Sequence, residues 1–197
     1  MNHHAAEELQ LAIQGDETAF AHIVEMYQTP VYNLCYRMLG DSQEAEDAAQ
    51  ESFWRAYQAI NRYDPNRSFI TWLLSIAAHY CIDQQRKRRL PTIELDETTD
   101  EIIPHHSPNP EWIVSQSEEE QMLHQLLSEM KPQDRAALIL RYWYELSDQE
   151  ISEALSCSLS AVKSRLHRAR LQLAQKWQSA QHTALTTGRN RYESSTF

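Results

Sequence analysis

Glycine is scarce in this chain, with 3 in 197 residues, and proline numbers 7 and cysteine 3. So few glycines, with few runs of alternating β-branched residues, exclude the dense turn chemistry of a sheet protein, and an all-α fold is expected. Cys35, Cys81 and Cys157 are odd in number, far apart and outside any CxxC pair. Neither a disulfide framework nor a zinc site is indicated, and all three read as small buried hydrophobes. Long apolar runs are missing too: the longest stretch without a charged residue, Ser68 to Ile82, contains Ser, Thr and His. It falls short of the roughly 20 apolar residues that span a bilayer. The opening MNHHAAEELQLAIQGDE lacks the basic flank and apolar run of a signal peptide. A soluble, cytoplasmic protein without membrane insertion is therefore expected. No Gly-rich phosphate loop, nucleophile with a paired base or metal-ligand spacing is present. Catalysis, a metal and a cofactor are all unexpected, and His105 and His106 read as solvated.

What is abundant is negative charge, but in one place. The formal net charge is −10, and residues 91–130 alone hold ten acidic and no basic side chains. The remaining 157 residues carry 18 of each sign. Overall acidity therefore says nothing against a nucleic-acid partner for the flanking parts. LPTIELDETTDEIIPHHSPNPEW shows prolines, Ser and Thr with no helical period and reads as a linker over 91–114. About 30 flexible residues span roughly 30 Å on average and roughly 100 Å when stretched. Two small helical domains, 1–90 and 115–177, could engage well-separated sites on one partner. The tail 178–197 has a disordered composition.

In the second body, LSDQEISEALSCSLSAVKSRLHRAR reads as two helices around a tight turn. Ser147 with Glu150 is a capping box, and Ser158 or Ser160 can cap the second helix. On that helix Val162, Leu166, Ala169, Leu173 and Trp177 form one apolar stripe. Lys163, Ser164, His167 and Arg168 project opposite it, with Arg165 and Arg170 on the flanks. A hydrogen-bonding basic face opposite a packed stripe, after a short turn, is the design of a recognition helix that enters the major groove. Lys163 and Arg168 could read guanine edges while the flanking bases hold phosphates.

In the first body, DSQEAEDAAQESFWRAYQAI has Asp41 and Glu44 as a second capping box. Ala45, Ala49, Ser52 and Ala56 form a close-packing stripe, with Asp47, Gln50, Glu51 and Trp54 on the far side. An exposed Trp among carboxylates makes a good protein-binding face. Downstream, a loop from Tyr63 to Arg67 precedes a long helix with Ser68 as its cap and Pro91 beyond its end. That helix is apolar in its first half and ends in Arg86, Lys87, Arg88 and Arg89. Aromatics beside a basic cluster suit single-stranded nucleic acid, because bases stack on rings while cations follow the backbone.

AEDAAQESFWRAY, SFITWLLSIAAHYCIDQQRKRR and LSDQEISEALSCSLSAVKSRLHRARLQL, in this order around a variable linker, resemble bacterial RNA polymerase sigma factors of the sigma-70 family, extracytoplasmic-function group. The resemblance covers roughly residues 8 to 90 (the family's region 2) and 115 to 177 (region 4). It implies that Asp47, Gln50, Glu51 and Trp54 dock on core RNA polymerase, on its β′ and β subunits. It implies that Tyr63, Asn66, Arg67 and Ser68, with Trp72 and His79 behind, capture a base flipped from the downstream promoter element. Gln84, Arg86, Lys87 and Arg88 would line the strand-opening path. Lys163, Ser164, His167 and Arg168 would read the upstream element, with Arg141 on the phosphates and the acidic linker in the RNA channel. An anti-sigma factor is an implied partner. Where the family's turn usually has Gly, this chain has Ser156, which must accept positive φ or reshape the turn. Ser160-Ala161 stands where Gly-Thr is common. The rival reading is an autonomous helix-turn-helix regulator, which leaves the Trp54 face without a task.

Overall fold

The structure, a computed structural model, describes residues 3–89 and 118–193. The linker 91–114, with His105 and His106, lies outside the described residues. Among those described there are eight α-helices, one 3₁₀ turn and no strand, as the scarcity of glycine and β-branched alternation requires.

The first body is built from α1 (His3–Ile13), α2 (Glu17–Leu39), α3 (Ser42–Ala59), a 3₁₀ turn (Ile60–Arg62) and α4 (Phe69–Arg89). Local chemistry sets its boundaries. Asp16 and Asp41 cap α2 and α3 by accepting the Ala19 and Glu44 N–H groups at 3.0 and 2.9 Å. Gly40 ends α2 at φ 82°, a left-handed conformation that glycine adopts without a Cβ clash. The Trp72 N–H donates to the Ser68 carbonyl, which puts Ser68 at the head of α4 as its sequence position predicts. The predicted stripe Ala45, Ala49, Ser52 and Ala56 is buried, and small side chains let α3 approach α2 and α4 closely. Leu34 and Met38 of α2 and Leu73, Leu74 and Ala77 of α4 fill the space between. Each large aliphatic fully buried here contributes roughly 1.5–3 kcal/mol. Cys35 and Cys81 lie in this core as expected, and the Cys81 thiol is raised by its hydrogen bond to Cys35 and by burial.

The second body comprises α5 (Glu118–Ser128), α6 (Pro132–Tyr142), α7 (Asp148–Ala154) and α8 (Leu159–Glu193). Both bonds of the Ser147–Glu150 capping box are present at the start of α7. Ser158, not Ser160, caps α8 by accepting the Ala161 N–H at 3.2 Å. Between the two helices Ser156 takes φ 48°, so this chain accepts the left-handed backbone without glycine. A non-glycine residue there costs roughly 1–2 kcal/mol. Two expectations differ from the structure. The backbone of α8 continues as helix to Glu193, past Trp177. Cys157 is only half-buried, since it sits in the turn ahead of α8, where Arg165 Nη1 donates to its Sγ at 3.2 Å.

The sequence patterns contain nothing of how the two bodies meet. One continuous apolar cluster runs from α1–α4 into Ala136, Ile139, Leu140, Ile151, Leu155, Val162 and Leu166. Polar contacts stitch the same seam. The Tyr144 hydroxyl donates to the Pro30 carbonyl at 2.6 Å, and the Arg37 guanidinium lies 5.1 Å over the Trp143 ring. Arg135, buried in α6, donates to the carbonyl of Met38 in α2, which Gln85 of α4 also approaches as a donor.

The Glu150 carboxyl is held below its ordinary value of 4.5, first by the Ser147 hydroxyl and then by the Ser147 N–H. A depressed carboxylate contributes stability that is present above the ordinary value and lost as pH falls through the lower folded one. Ser147→Ala is therefore expected to cost about 1 kcal/mol at pH 7, and clearly less at pH 3, in urea unfolding of the two proteins.

Candidate nucleic-acid and protein interfaces

Trp54 stands 55% exposed on α3, as its sequence position predicts. It lines an open groove of about 1190 Å³ between α2 and α3. Gln50 joins it there, whereas Asp47 and Glu51 face away from the groove and Glu51 pairs with Arg55 at 2.7 Å. The apolar floor is Phe20, Val24, Phe53 and Tyr57, and Glu17, Glu25 and Glu46 stand at the rim with no Lys or Arg among the lining residues. Sequence reasoning found the α3 wall and missed the α2 wall. Its signal was present in the period of Phe20, Val24 and Tyr32 along α2.

The loop after the 3₁₀ turn is organised around Tyr63. Tyr63 is 7% exposed, its ring 5.3 Å from both Phe69 and Trp72, and its hydroxyl donates to the Arg67 carbonyl. In this structure it is a pillar under the loop. Burial, then Asp64 nearby, raises its phenol. Asn66 and Arg67 project outward, with the Asn66 N–H and side-chain amide both on Asp64 Oδ1 at 3.0 Å. These two, with Ser68, Thr71, Trp72 and Ser75, line a cleft of about 230 Å³ whose other wall is Glu150, Glu153 and Ala154 of α7. Trp72 is half-buried in the aromatic cluster with Phe69. His79 lies one turn further on, its Nδ1–H on the Ser75 carbonyl at 2.8 Å, outside the cleft.

Along the second half of α4, Arg86, Lys87 and Arg88 are exposed. Arg86 sits 3.7 Å from Asp83, and Arg88 pairs with Glu44. Gln84 donates to the Tyr80 hydroxyl at 2.6 Å, so its amide is already engaged within the helix.

On α8, Lys163, Ser164 and His167 are exposed on the face opposite the buried Val162, Leu166 and Ala169. Arg168 has a partner within the fold. Its Nε and Nη2 form a two-pronged bond to Asp134 of α6 at 3.0 and 2.7 Å, and Asp134 is buried. The hydrogen bond to Asp134 raises the Arg168 guanidinium above its ordinary value. This bond takes the Nε–Nη2 edge of the guanidinium and leaves the Nη1 side of an exposed side chain for a second acceptor. Arg141 likewise spends Nη1 on the Leu146 carbonyl at 2.8 Å, where it holds the turn into α7.

A further groove, of about 610 Å³, was not foreseen from the sequence. Leu123, Leu138, Tyr142, Leu173 and Trp177 line it between α5, α6 and α8. The α8 stripe simply outruns the core, leaving Trp177 exposed. The described residues contain no cluster fit to hold a metal ion, and no described helix is long and apolar enough to cross a membrane.

Comparison with known proteins agrees with this geometry. The Sigma-70 region 2 model matches residues 23–90, and the Sigma-70, region 4 model matches 120–173. The chain is 41% identical over 165 residues to the ECF RNA polymerase sigma factor SigW of Bacillus subtilis (strain 168), covering 80% of this chain and 88% of that one. Its fold is similar to that of CnrH solved with the cytosolic domain of CnrY, at TM-score 0.66 and 19% identity, over 89% of this chain and 98% of the other. The sigma factor RpoE solved with the anti-sigma factor NepR from Bartonella quintana gives TM-score 0.61 at 17% identity, over 81% and 96%.

Removal of Arg168 would leave the buried Asp134 carboxylate without its fork. Arg168→Ala is expected to lower the urea midpoint and to weaken duplex binding alike across all upstream sequences. Lys163→Ala is expected to spare the midpoint. Binding measured against a panel of single-base variants checks both, and a loss confined to one base for Arg168→Ala would contradict the structural role.

Proposed function

The chain belongs to the sigma-70 family of RNA polymerase sigma factors, in its ECF group, and we propose that its two bodies divide promoter recognition between them. It is an alternative sigma factor for transcription initiation and not an enzyme. The observation that carries this is the occurrence of region 2 and region 4 matches in order on one chain. An autonomous regulator of duplex DNA would need no second body with an open, acid-rimmed apolar groove.

Core RNA polymerase takes the α2–α3 groove. A helix with an apolar stripe and basic flanks fits it, since Trp54, Phe53 and Phe20 offer ring surface and Glu17, Glu25 and Glu46 select positive charge. Residues 1–90 form the unit that opens the downstream element. Asn66, Arg67 and Ser68 meet an extruded base, Trp72 supplies ring surface below, and Arg86, Lys87 and Arg88 follow the separated strand. Extrusion costs a few kcal/mol per base, which contacts to the unpaired strand offset. Residues 115–177 read the upstream duplex through Lys163, Ser164 and His167. The apolar groove beside Trp177 gives polymerase, through its β subunit, a second hold. An anti-sigma factor, the kind of partner with which RpoE was solved, is a further partner of this chain and competes with polymerase for it. Work on polymerase and chromosomal DNA places the protein in the cytoplasm.

The test is transcription of a fragmented genomic library by core polymerase with and without the protein, with RNA 5′ ends sequenced. New starts sharing two spaced motifs are expected only in its presence. If none appear while the protein alone protects duplex sites, the reading fails. Trp54→Ala is expected to weaken core binding by about 2 kcal/mol, roughly thirtyfold. Titration of labelled protein with core polymerase checks this.

A further inference from the structure

Asp134 stands in the first turn of α6 and is only 5% exposed. A carboxylate taken out of water needs a partner, and its partner is Arg168 of α8. Ion pairs of this kind add little to stability, because apolar side chains of similar volume often serve as well. What the pair does is fix the arginine. Nε and Nη2 lie 3.0 and 2.7 Å from the two carboxylate oxygens, so the position and plane of the guanidinium are set before any ligand arrives. Yet 54% of the side chain remains exposed. A guanidinium has five N–H donors, and the fork to Asp134 uses one on Nε and one on Nη2. From this geometry we propose that Asp134 is a positioning residue for DNA binding: it turns the Nη1 side of Arg168 to a backbone phosphate on the wall of the major groove, and the pair thereby seats α8 on the upstream duplex.

The placement of the pair favours a phosphate over a base edge. Gln172 and Lys176 lie one and two turns beyond Arg168 on the same side of α8, and both are tied to Glu129, just past the end of α5. That side of the helix therefore faces the junction of α5 and α6. The fork draws the Arg168 head towards it, away from the line on which Ser164 and His167 project. A helix with its side chains is about 10–12 Å across, and the major groove is about 12 Å wide. Residues on the outermost line of such a helix reach the base edges, whereas a head carried to its flank reaches the phosphates. Contacts of the second kind set register and orientation, which is a task for a braced side chain. The brace also extends beyond α8. Arg141 of the same α6 holds the Leu146 carbonyl at the turn into α7, so α6 links the phosphate contact to both helices of the helix-turn-helix unit.

This inference rests on the assignment of the second body to the upstream duplex, and the experiment separates the two. Core polymerase carrying the full chain is bound to a promoter mapped by the library transcription above. Single phosphates of the upstream element are replaced in turn by neutral methylphosphonates. With wild-type protein, one replacement is expected to weaken binding about three- to tenfold through loss of the Arg168 contact. Asp134→Asn keeps the volume and one acceptor but not the fork. It is expected to bind the unmodified promoter about three- to tenfold more weakly, equally for every base variant of the upstream element, and to lose less than about twofold at that phosphate. Simple electrostatics gives the opposite sign, since removal of a negative charge beside the duplex tightens binding. Tighter binding by Asp134→Asn therefore overturns the proposal, as does a loss confined to one base position. So does a phosphate scan that is the same for variant and wild type, which is the result expected if Asp134 only stabilises the fold. Arg168→Lys keeps the charge without the fork and is expected to match Asp134→Asn at the same phosphate. It decides the question if Asp134→Asn fails to fold. If no base substitution in the upstream element changes wild-type binding, the assignment of the second body falls and the proposal with it. If such substitutions do change it, a failure at the phosphate belongs to the brace alone.

Discussion

The packing of the two bodies turns on a buried guanidinium. Arg135 is 3% exposed, and a cation taken out of water is costly unless its donors are met. Its partners are carbonyls at the C-terminal ends of two helices: Met38 at the end of α2, and Ser128 and Met130 at and just beyond the end of α5. Helix C-termini carry partial negative charge and unpaired carbonyls, so one side chain answers two helix ends at once. The position of α6, which carries Arg135, is thereby fixed against both bodies. From α6 follow the Arg141 hold on the turn into α7 and the Asp134 hold on Arg168 of α8. The recognition helix is oriented through this chain of polar contacts as much as through Val162 and Leu166 beneath it.

Most of the fold was legible because it is locally encoded. Asp41, Ser147 and Ser158 are short polar caps that satisfy orphan N–H groups wherever they stand, and the structure uses each at its predicted place. The alanine stripe of α3 and the stripe of α8 follow from a period of 3.6 residues alone. Periodicity does not say where a stripe stops meeting its partner. Leu173 and Trp177 of α8 belong to the predicted stripe and line an open groove. Nor does it report pairings of distant residues. Arg135 with Met38 spans 97 positions and Tyr144 with Pro30 spans 114, so neither leaves a local trace.

The same limit hides the internal partners of candidate site residues. A sequence shows that Tyr63, Arg141 and Arg168 are of a type that binds nucleic acid, but not that each also has a partner within the fold. Tyr63 was drawn inward by Phe69 and Trp72, and Arg168 by a buried carboxylate 34 residues away. Lys163 and His167 sit on a helix face with no neighbouring element above it and stayed exposed, as predicted. Residue type proposes a role, and competition from the fold disposes of it.

That competition bears on how one small body serves two surfaces of opposite charge. The helix-turn-helix unit divides its charge between its helices: α7 is acidic with no basic residue, while the exposed face of α8 is basic. The acidic helix lies against Arg67 and the basic face looks outward. The two helices of one small unit thus present opposite charge to different neighbours: carboxylates to a guanidinium of the first body, and cations to solvent. Neither charge pattern is set by the net charge of the chain; each follows from which face of its helix the residue occupies.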